Sequence, residues 1–246
     1  MRLRGIYRFI VFALITAFSL FWMIFLGFLL GENEGRSIRL RRKLAARLVH
    51  MLKIEVELKG VVPGDGIIGV TNHRSYIDSV CIFMHLDACP VVKSEVQNWP
   101  LVGLGLKHTA TVFVERENKI SRSQTRERIA EFVKRGVSTI VFVEGTTYVG
   151  PEAGEFRPGT FKTAAKNQLP IVPIAIEFEH RDAAWVGDDT FVPHFIRYFG
   201  KHRKTKVKVA FGEEMISEDW ESLRDQSHHW VNEQLLQMRK EFDTRI

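Results

Sequence analysis

The apolar pattern along the chain changes period at about residue 53. From Phe9 to Leu30 there are 22 residues without a charge, rich in Phe, Leu and Ile. As a helix this run is about 33 Å long at ~1.5 Å per residue, enough to match a hydrocarbon layer of ~30 Å. In the next segment, SIRLRRKLAARLVHML (37–52), leucine recurs at 40, 44, 48 and 52, while Arg39, Arg42, Lys43 and Arg47 take the other faces. That is the pattern of a basic amphipathic helix, able to lie on anionic head groups or to pack its leucines on a folded domain.

Beyond residue 53 short apolar runs alternate with polar helical stretches. IEVEL (54–58) alternates like a half-buried strand, and IIGVTN (67–72) is continuously apolar like a central one. Residues 76–86 read as a helix, 89–93 as a strand, and QNWPLVGLG as a loop or short helix broken by Pro100 and two glycines. TVFVER (111–116) and STIVFVEG (138–145) are strands on either side of a polar helix at 121–135. A Gly/Pro-rich loop runs to Gly159, and a helix capped by Thr160 follows. PIVPIAIEF (170–178) and KVKVAFG (206–212) are strands, with Val172-Pro173-Ile174 marking an edge or bulge. A long helix over 217–242, capped by Ser217, closes the pattern. The alternation predicts an α/β fold: a mostly parallel central sheet flanked by helices, preceded by a hydrophobic membrane helix and a basic amphipathic one. The division expected is a membrane-anchoring segment, 1–53, and one globular domain, 54–246.

Charge sharpens this division. Of the net +6, residues 1–53 hold ten Lys or Arg against Glu32 and Glu34, and the other 193 residues hold 25 basic and 27 acidic groups. The basicity belongs to the N-terminal segment, which suits an anionic membrane surface and not a nucleic-acid-binding domain. FLLGENEG offers no small-x-small cleavage site, so membrane attachment is expected over a removable leader. Positive charge is heavier after the apolar run than before it, which places the globular domain in the cytoplasm; spanning and dipping into one leaflet both stay open. Cys81 and Cys89 form no CxxC and no zinc spacing, and are expected as small buried residues.

Three polar motifs fall at the ends of apolar strands, the edge at which open α/β sheets bind ligands. NHRSYID (72–78) sets His73 and Asp78 five positions apart. A neutral imidazole can take a proton from an alcohol while a carboxylate on its other nitrogen fixes the tautomer. The same residues also make an ordinary capped turn, with Asp78 placed for the helix dipole. Both readings stand at this point. Arg116 leaves a buried strand as a candidate clamp for a phosphate or carboxylate, or as a salt-bridge partner. Glu144-Gly145 ends a very apolar strand, where the backbone can turn toward a ligand, or simply stop. Arg157 and Lys162 add charge at the next helix start. No P-loop, dinucleotide fingerprint, metalloprotease motif or Gly-x-Ser-x-Gly elbow is present, and His228-His229 reads as solvent-facing.

Taken in order over roughly residues 60–180, these motifs resemble the glycerolipid acyltransferase family typified by 1-acylglycerol-3-phosphate acyltransferases. His73 and Asp78 match its His-x-x-x-x-Asp motif, and Phe113 with Arg116 its second block. Val143-Glu144-Gly145-Thr146 matches the third block and Val172-Pro173-Ile174 the fourth. Lys93-x-Glu95 with Pro100 and Gly103 is similar to the segment between the first two. The resemblance implies a membrane O-acyltransferase that moves a fatty acyl group from acyl-CoA or acyl carrier protein to a lysophospholipid, 1-acyl-sn-glycerol-3-phosphate first. His73 would be the base and Asp78 its orienter. Arg116, Glu144, Gly145, Thr146, Lys93, Arg157 and Lys162 would bind substrate, and no metal or cofactor is implied. The partners would be membrane lipids and the donor carrier. The third block departs from the family's Phe-Pro-Glu-Gly-Thr-Arg-Ser: Thr147 stands where an arginine would hold the acceptor's phosphate. A lyso-aminolipid acceptor is therefore an alternative, as are a hydrolase and, in another class, a non-catalytic lipid-binding module.

Overall fold

The computed structural model describes residues 2–99, 101–115 and 117–244. Arg116, an expected substrate ligand, lies outside the described residues, as does Pro100. The chain begins with two long helices, α1 (Arg2–Leu30) and α2 (Glu34–Leu52), the second capped by the Asn33 side chain on the Arg36 amide. Strands β1 (Ile54–Lys59) and β2 (Ile68–Thr71) follow, then α3 (Ile77–Phe83), β3 (Ala88–Lys93), a 3-10 turn, α4 (Val102–Lys107) and β4 (Val112–Val114). The rest runs α5 (Lys119–Lys134), β5 (Ser138–Phe142), α6 (Gly159–Asn167), β6 (Ile171–Phe178), α7 (Phe191–Lys201), β7 (Thr205–Phe211) and α8 (Trp220–Asp243).

The described strands form one seven-stranded sheet, in order β1-β7-β6-β2-β5-β3-β4. All neighbours are parallel except β6 and β7. One face buries α2, α3 and α7, and the other buries α5, α6 and α8, so the α/β expectation of a mostly parallel, helix-flanked sheet is met. Being central, β2 is buried at every position, which explains its unbroken apolar run. Cys81 and Cys89 are free and buried, as expected.

Three expectations are corrected. Pro173 lies in β6, in the middle of the sheet and not at an edge. It is tolerated because the antiparallel ladder with β7 begins only at Ile174, where β7 is ending, and the Pro173 carbonyl still accepts from the Gly212 amide at 2.9 Å. Helix α8 is capped by Asp219, whose carboxylate accepts from the Glu221 and Ser222 amides; Ser217 instead holds the Asp219 amide. Thr160 lies inside α6, and Pro158 occupies the cap position. Helix α7 was not expected, although Phe191, Phe195 and Phe199 recur every four positions, and Pro193 sits in its first turn. That position is harmless, because first-turn amides have no partner within the helix.

The apolar N-terminal helix is long and apolar enough to cross a bilayer, yet its first turns are docked on the domain. Arg8 donates to the carbonyls of Phe199, His202 and Arg203 at 3.0, 2.8 and 2.7 Å, and Arg4 to Gly200 and Lys201. These arginines satisfy the free carbonyls at the C-terminus of α7, where the helix dipole favours cations. The Phe9 ring meets Phe191 and Phe195 edge-on, and the Phe12 ring meets both at a tilt. Farther along, Phe18, Phe21, Phe28, Leu29 and Leu30 stay exposed. Helix α2 packs Ile38, Ala45, Leu48, Val49 and Leu52 inward and leaves Arg39, Arg42, Lys43 and Arg47 in solvent. Its Arg41 is half-buried and donates to the Ala88 and Ala110 carbonyls, with desolvation lowering its pKa to about 10.

Candidate active site

At the end of β2 the chain turns sharply before α3, and the turn is held from several sides. Asn72 is fully buried and exchanges two hydrogen bonds with the backbone of Ile176 on β6, at 2.9 and 3.0 Å. It thus continues the β2–β6 ladder beyond the last strand residue. His73 follows, with its Nδ1 2.7 Å from Asp78 Oδ2. The same carboxylate oxygen accepts from the Arg74 and Ser75 amides at 2.6 and 2.9 Å, and Asp78 is fully buried in the first turn of α3. A carboxylate so anchored is an N-terminal helix group and a histidine orienter at once, so the two sequence readings of NHRSYID describe the same geometry.

The His73 ring packs on Phe142, with centroids 4.0 Å apart, and its side chain is 19% exposed. Among the described residues its Nε2 has no hydrogen-bond partner. The bond to Asp78 places the proton on Nδ1 and leaves the Nε2 lone pair on the accessible side.

The loop after β5 closes over this turn. Glu144 is buried, and its two carboxylate oxygens accept from the His73 amide at 2.5 Å and the Gly154 amide at 2.6 Å. Burial pushes its pKa above the ordinary glutamate value, while those two amides, Gly154's first, oppose the shift. Gly145 has φ of +75°, a left-handed conformation that favours glycine, and Arg157 lies across its open face. The Arg157 Nε donates to the Glu144 carbonyl at 3.2 Å, and the residue is otherwise exposed. Thr146 is exposed in the same turn. Thr147 turns its hydroxyl to the Trp185 carbonyl, and the Tyr148 amide donates to the His73 carbonyl at 2.8 Å.

Of the expected site residues, His73, Asp78, Glu144, Gly145, Thr146 and Arg157 meet in one cluster. Lys93, at the end of β3, is half exposed and 3.3 Å from Glu95. Lys162 stands over the Trp220 ring, 4.4 Å from its centroid. His228 was expected in solvent, but its Nε2 lies 3.0 Å from the Gly154 carbonyl and its ring meets Phe156 edge-on. It therefore braces the loop that holds Glu144, whereas His229 is exposed beside Glu233. Sequence reasoning also missed Arg74, Glu177 and Trp185. The Trp185 amide donates to the Arg74 carbonyl, and the indole meets Tyr76 and Trp99 edge-on. Glu177 alone carried a readable signal, a charge inside the fully buried strand IVPIAIEF. Among the described residues no His, Cys, Asp and Glu cluster could hold a metal ion.

An α/β sheet with a histidine–carboxylate pair at the end of a central strand defines a scaffold for proton abstraction from a bound hydroxyl. Comparison with known proteins identifies the family: residues 53–177, more than half of the chain, match the acyltransferase family, to which this chain belongs. It is 30% identical to a lyso-ornithine lipid O-acyltransferase of Pseudomonas aeruginosa, over 65% of this chain and 63% of that one. A probable 1-acyl-sn-glycerol-3-phosphate acyltransferase of Mycoplasma genitalium is 28% identical over 70% and 72%. The chain spans about six tenths of the length of the Pseudomonas relative, and a little over half of a Rhizobium meliloti protein of the same description. The crystal structure of the 1-acyl-sn-glycerophosphate acyltransferase PlsC from Thermotoga maritima shares the fold, with a TM-score of 0.74, 21% identity, and coverage of 97% of this chain and 98% of that one.

Proposed function

We propose that this protein is a membrane-associated O-acyltransferase that moves a fatty acyl group from an acyl thioester to the free hydroxyl of a lyso-lipid. The observation that carries the reading is the His73–Asp78 pair, 2.7 Å apart, with Nε2 free beside an open turn. In this reading Nε2 removes the proton from the acceptor hydroxyl as its oxygen attacks the thioester carbonyl. The tetrahedral intermediate then expels the thiolate, which takes the proton back from Nε2. No acyl-enzyme and no metal is needed. General base catalysis contributes about 10²–10⁴-fold in rate. Asp78 stabilises the imidazolium, and Glu144 fixes the loop by holding the His73 and Gly154 amides.

The acceptor site lies around Gly145, Thr146 and Arg157, with Arg116 and Lys93 as further anion ligands. Lys162, engaged by Trp220, packs α8 in this reading. The donor is acyl-CoA or acyl carrier protein, which sets the catalytic face on the cytoplasmic side. Residues 1–53 form the membrane segment. Because Arg4 and Arg8 tie the start of α1 to α7, the exposed phenylalanines beyond residue 17 enter one leaflet and the helix does not cross.

The first acceptor is 1-acyl-sn-glycerol-3-phosphate. A second, a lyso-aminolipid, is favoured by one observation: position 147 offers no cation, and its hydroxyl is spent on the Trp185 carbonyl. Purified protein with labelled acyl-CoA or acyl carrier protein and a panel of both lyso-lipids tests the reading. Diacylated product with lysophosphatidate is expected. Product with the aminolipid alone moves the assignment to the second acceptor, and free fatty acid as the main product replaces the transferase with a hydrolase.

A further inference from the structure

Directly after the base, Arg74 is nearly buried, its side chain 4% exposed. Its guanidinium donates to the Tyr148 carbonyl at 3.0 Å, the Glu152 carbonyl at 3.3 Å and Glu177 Oε2 at 3.2 Å. Glu177, on the central strand β6, is as deeply buried, and its other oxygen accepts from Arg239 of α8 at 2.7 Å. Arg239 also donates to the Phe178 and Glu179 carbonyls. Two charges are thus taken almost wholly out of water and a third in large part, at a desolvation cost that only close pairing offsets. An apolar side chain at 177 would fill the same strand position without that cost.

We infer that Arg74 is a positioning residue for the His73–Asp78 pair, and that Glu177, held by Arg239, is the counter-charge that keeps it in place. Both ends of Arg74 serve this function. Its amide binds Asp78 and its carbonyl takes the Trp185 amide, while its guanidinium locks the 148–152 loop against the turn. That loop is the one whose Tyr148 amide binds the His73 carbonyl, so Arg74 closes a ring of contacts around the base. The C-terminal helix is thereby connected to the catalytic turn through one buried carboxylate. A displacement of about 1 Å at a reacting group reduces the rate about 10²-fold, so the effect belongs in turnover and not in substrate binding.

This rests on His73 acting as the base, and two kinds of measurement separate the inference from that reading. With oleoyl-CoA and lysophosphatidate, Arg74→Ala should lower kcat about 10²-fold and leave both KM values within about twofold. A cavity of about 180 Å³ lined by Arg74, Glu177, Arg239, Gly150 and Pro151 opens beside the triad. Guanidinium chloride at non-denaturing concentration can enter it, and should restore at least about tenfold of the Arg74→Ala turnover. The same salt should leave His73→Ala inactive. Glu177→Gln keeps the shape, removes the charge, and should lower kcat about tenfold. It carries the test alone if Arg74→Ala does not fold. Independently of any substrate, the downfield proton of the His73 Nδ1–H···Asp78 bond should broaden or shift in Glu177→Gln by NMR. Wild-type kcat and an unchanged downfield proton in Glu177→Gln, or a loss confined to KM, would overturn the inference. Full activity in His73→Ala with an altered proton signal in Glu177→Gln would instead remove the base and leave the positioning intact.

Discussion

Two sets of residues surround the strand-end turn, and they are built differently. His73, Asp78 and Glu144 are fixed largely by backbone amides: two amides and the His73 ring on Asp78 Oδ2, and one amide on each oxygen of Glu144. The cations expected to read the acceptor are held by much less. Arg157 makes one bond through Nε, and Lys93 one half-exposed ion pair. Proton transfer tolerates little displacement, so its groups must be preorganised at the expense of sequence freedom. Head-group recognition by long exposed side chains can drift while the fold and the base stay fixed. The names of two relatives share an acyl transfer and differ in the lyso-lipid.

The largest effect should come from the fixed set. His73→Ala should reduce transfer by about 10³-fold or more, at the upper end of what a general base supplies. Asp78 keeps its two amide donors in that variant, so the thermal midpoint should move by only a few degrees, the equivalent of about 1 kcal/mol in a chain of this length. Activity near wild type would erase the contrast at once. Asp78→Asn comes next. Turnover should fall about 10²-fold, because a neutral amide stabilises the imidazolium poorly. Stability should fall with it, by about 2 kcal/mol, since the amide carbonyl accepts the three bonds without the charge and its NH2 is buried at the Oδ1 position, which has no partner among the described residues. A variant as stable as the parent would show that the buried carboxylate does not organise the turn.

The same division explains what the sequence disclosed. The alternation of apolar strands and polar helices predicted the sheet, and strand β2 ends one residue before Asn72, so the His73 turn was legible. What escaped depends on long-range partners. Asn72 looks like any turn residue until β6 is placed beside it, and Arg74 looks like a surface charge until β6 brings Glu177, itself held by Arg239, against it. Pro173 was misplaced because an edge and a strand whose neighbour is ending look alike in one dimension. Helix α7 was missed although its apolar spacing, Phe191, Phe195 and Phe199, is helical; what only the fold shows is the aromatic packing of that face on α1.

The exposed set should show effects on binding and not on turnover. Arg157→Ala should raise KM for an anionic acceptor about tenfold, the loss of one charge-assisted hydrogen bond, and leave kcat unchanged. A matching fall in kcat would move Arg157 into the fixed set. Glu144 gives a test of the other kind, through pH. Burial raises its folded pKa, so the stability this group contributes is fully present below the unfolded glutamate value, and is lost as pH rises through the raised value. Glu144→Gln carries no such titration. Its thermal deficit relative to wild type should therefore be largest at acid pH and shrink as pH increases. A deficit that grows toward neutral pH would mean that the His73 and Gly154 amides outweigh the burial.

The smallest effect should fall at Lys162, and it decides where the acceptor region ends. Its ammonium lies 4.4 Å from the centroid of Trp220, which opens α8 and is also flanked by Arg224. An exposed cation–π contact contributes about 0.5–1 kcal/mol, so Lys162→Ala should lower the thermal midpoint by a degree or two. KM for lysophosphatidate should stay within about twofold, because a residue committed to an aromatic face contributes no bond to a lipid head group. Measured beside Arg157→Ala, the variant marks the boundary between helix packing and head-group recognition along residues 157–162. A tenfold rise in KM at Lys162 would extend the recognition surface onto α6 and detach the lysine from Trp220 when substrate is bound. The weakly held set would then reach farther from the turn than Arg157, and head-group specificity would be read by an entire helix start.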